Sequence, residues 1–118
     1  MWWVTVLICL FVLPADATDC SAAASAADDA YTYARRAQNS SSLREAQEYA
    51  KKAMNAAEES MSAAEDSSCD DAYSNADDAY TYARKAYRAD TLDEAQDYAR
   101  KAKNAADDAR SAAEDCGD

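Results

Sequence analysis

The chain has 118 residues, with 12 Lys and Arg against 23 Asp and Glu, a formal net charge of −11 and no His. That balance excludes nucleic acid as a partner, because phosphate contacts need clustered bases. The missing His removes imidazole acid–base chemistry and most transition-metal sites.

Trp2 to Leu13 is a run of 12 residues, apolar except for Thr5, and too short to span a bilayer. Pro14 and then Ala15-Asp16-Ala17 follow, an A-x-A cleavage pattern, so residues 1–17 read as a secretory signal peptide cut after Ala17. The product is expected to be secreted and extracellular, with no membrane span. What remains holds 22 acidic and 12 basic residues, no Pro, and a single Gly at position 117. It is dominated by Ala, the strongest helix former, and has no Val or Ile to build strands.

The first helix is expected to begin near Cys20, with Ala23, Ala27, Ala30, Ala34 and Ala37 stepping four and three, a heptad seam. Asn39 to Ser42 interrupts it, and Ser42-Leu43-Arg44-Glu45 is a capping box that opens a second helix. That helix carries Leu43, Ala46, Ala50, Ala53, Ala57, Met61 and Ala64 on one face. Residues 67–69 read as a turn. The alternative is one helix from 42 to 88, which would force a domain-swapped or extended dimer. The third helix carries Ala72, Ala76, Ala79, Ala83 and Ala86, and Thr91-Leu92-Asp93-Glu94 is a second capping box. The fourth carries Leu92, Ala95, Ala99, Ala102, Ala106, Ala109 and Ala113.

The second half repeats the first. Sliding residues 28–66 onto 77–115, a shift of 49, gives 25 identities in 39 positions, and Cys20 falls on Cys69. Such a unit must stack on its twin to bury a face. The expected fold is therefore all-α: two duplicated helical hairpins, 18–69 and 70–118, packed as one up-down-up-down four-helix bundle with alanine-rich heptad seams. Ala buries little surface, so the eight Tyr residues are expected to lie over the seams as lids with their hydroxyls in water.

Three cysteines remain after the leader: Cys20, Cys69 and Cys116, all at one end of such a bundle. In an exported chain one pair is expected to be oxidised, with the pair left open by the sequence, and the odd thiol stays free or links a disulfide-bonded homodimer. Acidic residues gather at the same end, largely as adjacent pairs: Asp28 and Asp29, Glu58 and Glu59, Glu65 and Asp66, Asp70 and Asp71, Asp77 and Asp78, Asp107 and Asp108, Glu114 and Asp115. With Asp19 and Asp118 that half counts 16 acids and one base, Arg110, against 6 acids and 11 bases in the other half. Helix-dipole matching suits this pattern in the first and third helices only.

Carboxylates are hard ligands for Ca²⁺. Without an EF-hand loop, the expectation is weak surface binding of Ca²⁺ or mineral, with no defined metal site and no other cofactor. Asn39-Ser40-Ser41 is an N-glycosylation acceptor. No nucleophile–base pair is present, so an enzyme is not expected. The sequence points to a secreted acidic structural or assembly protein acting on a cationic surface or mineral. An exported interaction module with a protein partner is the alternative. Ice binding ranks below both, since Thr is sparse.

Overall fold

The computed structural model describes the backbone of residues 2–116 and the side chains of residues 20–116. It contains four helices: α1 Trp2–Gln38, α2 Leu43–Asp66, α3 Asp70–Tyr87 and α4 Leu92–Cys116. Each packs closely on its chain neighbours, and α4 returns to α1, while contacts across the diagonals are sparse. The chain thus forms an all-α, up-down-up-down four-helix bundle.

Among the described residues, every buried apolar residue other than Cys69 is Ala, and Ser60 is the bulkiest side chain that is wholly enclosed. The seams meet in layers, one residue from each helix. Ala23, Ala64, Ala72 and Ala113 form the layer nearest the cysteines. Ala27, Ala76 and Ala109 come next, with Ser60 as the fourth member. Ala30, Ala57, Ala79 and Ala106 follow, then Ala34, Ala53, Ala83 and Ala102, then Ala37, Ala50, Ala86 and Ala99. Ala46, Ala89 and Ala95 close the far end beneath Leu43 and Leu92. With one methyl per position, helix backbones come close and packing leaves little slack.

Two sequence expectations change here. Met61 is not the seam residue of α2. The three-four stepping runs through Ser60, which is 1% exposed, and Met61 lies half-buried beside the layer. Ser60 is tolerated because its hydroxyl donates to the Ala23 carbonyl of α1 at 2.9 Å, which satisfies the buried polar group. The first helix also starts at Trp2 rather than near Cys20. No glycine interrupts residues 2–20, and the backbone runs on as helix across the Ala17–Thr18 bond. The side chains of residues 1–19, and all of Met1, Gly117 and Asp118, lie outside the described residues.

The three turns follow the sequence. Ser42 accepts a hydrogen bond from the Glu45 N–H at 3.2 Å, while Glu45 reaches back to the Ser41 N–H at 3.3 Å. Thr91 accepts from the Glu94 N–H at 3.2 Å. At 67–69 the chain turns, which rules out a continuous helix from 42 to 88. Ser68 takes φ 58°, and the Ser68 and Cys69 N–H groups bond back to the Glu65 and Ala64 carbonyls. That pattern is a Schellman C-cap.

Two glutamines join the hairpins. Gln47 donates to the Ala89 carbonyl at 3.1 Å and Gln96 to the Ser40 carbonyl at 3.0 Å. The 49-residue shift carries one bond onto the other, since 47 maps to 96 and 40 to 89. The hairpins are related by a pseudo-two-fold, each holding the other's helix–helix turn.

Candidate functional site

The cysteine end of the bundle gathers the acidic residues singled out above. Asp28 and Asp29 project from α1; Glu58, Glu59, Glu65 and Asp66 from α2; Asp70, Asp71, Asp77 and Asp78 from α3; Asp107, Asp108, Glu114 and Asp115 from α4. All are exposed except Asp107, which is half-buried. Asp70, Asp71, Asp108 and Asp115 border one groove between α3 and α4, together with Asn75 and the Cys69–Cys116 bond. Among the described residues no three acidic or cysteine side chains converge tightly enough to hold a metal ion.

Arg110 is the one base there. Its guanidinium bonds Asp28 on α1 at 2.8 Å and also Asp107, stands 3.9 Å from Glu114, and covers the Tyr31 ring at 5.4 Å from its centre. The hydrogen bond to Asp28, then the charges of Asp107, Asp28 and Glu114, hold the guanidinium above its ordinary value despite some desolvation. The other acidic residues at this pole have no ion pair among the described residues. In the first repeat Met61 stands in place of Arg110, so the α1–α4 seam has a charged clamp that the α2–α3 seam lacks.

The opposite half is built differently. Lys52 and Arg36 each stand within 6.0 Å of the ring centres of Tyr33 and Tyr49. Lys85 and Lys101 hold Tyr82 and Tyr98 in the same way. These matched cation–aromatic clusters cover the alanine layers of each hairpin. Six of the eight Tyr are thus lids: Tyr31, Tyr33, Tyr49, Tyr80, Tyr82 and Tyr98 pack half-buried on the core. Tyr73 and Tyr87 do not; they are 36% and 39% exposed. Also in this half, the Arg100 hydrogen bond holds Asp97 below the usual carboxylate range against an opposing desolvation effect, with the Lys101 and Arg100 charges adding to the lowering.

The structure chooses the cysteine pair. Cys69 and Cys116 are bonded, with Cα atoms 6.0 Å apart, within the usual disulfide span. Cys20 is free and half-buried. Asn39 is exposed in the turn after α1, a geometry open to glycosylation. The hydrogen bonds of Ser60, Gln47 and Gln96 were missed from sequence. A signal existed for Ser60 in the three-four stepping, and for the glutamines in their identical placement in both repeats.

Fold and site together define an antiparallel four-helix bundle with an alanine core, built from two like hairpins and charged oppositely at its two ends. Compared with protein-family models, curated proteins and solved structures, the chain matches none of them.

Proposed function

We propose that this chain is an exported, non-enzymatic structural or assembly protein that binds cations through its carboxylate pole. Its site of action is extracellular, after removal of residues 1–17. The observation that carries the reading is the crowding of exposed, unpaired carboxylates from all four helices onto one end of a narrow bundle. Like charges so placed repel. Ca²⁺, a mineral face or a basic surface relieves that repulsion without a shaped site. Cys20 supplies a thiol for joining copies.

The test is size-exclusion chromatography with light scattering on the secreted protein, with and without Ca²⁺ and with and without reductant. Larger species induced by Ca²⁺, or a dimer broken by reduction, support the reading. A monomer in all four conditions sinks it.

One observation favours a second reading, an interaction module with a protein partner. Tyr73, Tyr80 and Tyr87 repeat at heptad spacing along α3, the outer two are exposed, and the first repeat has Ala24 and Gln38 in place of Tyr73 and Tyr87. Exposed Tyr at helical spacing suits a partner helix. Loss of binding to a captured partner in Tyr73→Ala and Tyr87→Ala, with no response to Ca²⁺, would select this reading over the first.

A further inference from the structure

The pseudo-two-fold has a consequence for the cysteines. Shifted back by 49, the bonded pair Cys69 and Cys116 falls on Cys20 and Ser67. The first repeat therefore keeps one half of the same staple. In place of the other half it has a serine, whose hydroxyl is committed to the Ala63 and Ala64 carbonyls at 3.0 and 3.2 Å.

The register sets Cys20 level with the bonded pair. The outermost alanine layer joins Ala23, Ala72 and Ala113. Three residues outward along each of those seams stand Cys20 on α1, Cys69 at the N-cap of α3 and Cys116 on α4. The α1 and α4 helices pack side by side there. They share a shallow groove bordered by Ser21 and Ala24 on one side and Ser111 and Glu114 on the other, and Arg110 bonds across to Asp28. Cys116 thus ends α4 between two neighbouring helices, each offering a cysteine in the same layer. Cys116 is exposed, Cys20 half-buried and Cys69 3% exposed.

We propose that the three cysteines form an exchange site in which Cys20 and Cys69 compete for Cys116. The Cys20 thiolate attacks Cys116 Sγ, the bond from Cys69 to Cys116 breaks as that from Cys20 to Cys116 forms, and Cys69 leaves as a thiolate. The proton that Cys20 gave to solvent is taken up by Cys69, so the step involves no net oxidation or reduction. The released thiol has an acceptor in place, since Cys69 Sγ lies 3.6 Å from the Ala112 carbonyl oxygen. Exchange turns a staple between the start of α3 and the end of α4 into one between α1 and α4. It also moves the free thiol from a half-buried position to a buried one. If Cys20 joins copies, as the assembly reading holds, exchange withdraws that capacity; this use rests on that reading, whereas the exchange itself does not.

The experiment is disulfide mapping by mass spectrometry on the full secreted chain, alkylated at acid pH before tryptic digestion. Trypsin separates the three cysteines onto different peptides. In the native sequence, peptides linking Cys69 to Cys116 and Cys20 to Cys116 are both expected from the monomer. In Cys69→Ser the second link takes over and alkylation of Cys20 is lost. In Ser67→Cys, Cys20 is captured by the new partner and its link to Cys116 disappears. The proposal is overturned if native monomer never yields the link from Cys20 to Cys116 and folded Cys69→Ser keeps both remaining thiols open to alkylation. Should Cys69→Ser fail to fold, the native and Ser67→Cys maps decide between the same outcomes. Dimer content on a non-reducing gel reads the cross-linking role separately, so the two ideas fail independently.

Discussion

At the scale of single residues, the core admits almost no variation in volume. Ala53 is 2% exposed and meets Ala34, Ala83 and Ala102 in one layer. A larger side chain there must push four backbones apart. Overpacking of this kind costs about 1–3 kcal/mol, so Ala53→Leu is expected to lower the denaturation midpoint in urea, followed by circular dichroism at the helix band. An unchanged midpoint would mean that the layer has room the geometry does not show. The alanine seams were legible because Ala repeats there without exception in three helices. Ser60 was not, because a hydroxyl at a core position reads as solvent-facing until its acceptor, the Ala23 carbonyl, is located on another helix. Period alone pointed to the right position; polarity pointed away from it.

At the scale of elements, the boundaries were written in local chemistry. Both capping boxes act within four residues of themselves, so sequence suffices to read them. The turn between the repeats is set by Ser68 in the left-handed region at φ 58°, where a side chain is disfavoured and Gly is not. Position 117, the counterpart of Ser68 in the second repeat, is Gly. Ser68→Gly is expected to stabilise the fold by up to about 1 kcal/mol, measured by the same urea titration, with Cys69 still bonded to Cys116. A loss of stability would place the strain elsewhere. The Gln47 and Gln96 bonds were not legible in advance, because each spans a gap between hairpins that only the packed bundle defines.

At the scale of the whole molecule, charge is distributed against stability. Helices α2 and α4 end in acidic residues and have no base in the last turn, so their own dipoles oppose these charges. Arg110 offsets only part of that, through surface pairs of small individual worth. Raising NaCl from about 10 mM to about 150 mM shortens the screening length from about 30 Å to about 8 Å. Thermal denaturation is therefore expected to move upward with salt. A downward shift would mean that the pairs of Arg110 and Asp97 outweigh the repulsion. The segregation itself was readable from sequence once the hairpins were folded on paper. Which cysteines pair was not, since all three sulfurs reach the same end at the same level of the seams. The bond between Cys69 and Cys116 closes a loop with a sequence separation of 47. By the chain-entropy account it contributes about 4 kcal/mol, so Cys116→Ser, which removes the partner shared by Cys69 and Cys20, is expected to unfold at markedly lower temperature than the native chain.

A core made of methyl groups also bears on how stability varies with temperature. The curvature of that dependence comes from the heat capacity gained when apolar surface meets water, about 12–15 cal/mol/K per residue in ordinary domains. Here the enclosed side chains are almost all Ala, and the surface released per residue is small. Differential scanning calorimetry is expected to return a value below that range, which corresponds to a shallow stability curve. Such a bundle gives up little of its stability on cooling. It holds its shape in cold water, where proteins that rely on large aliphatic cores lose part of their driving force.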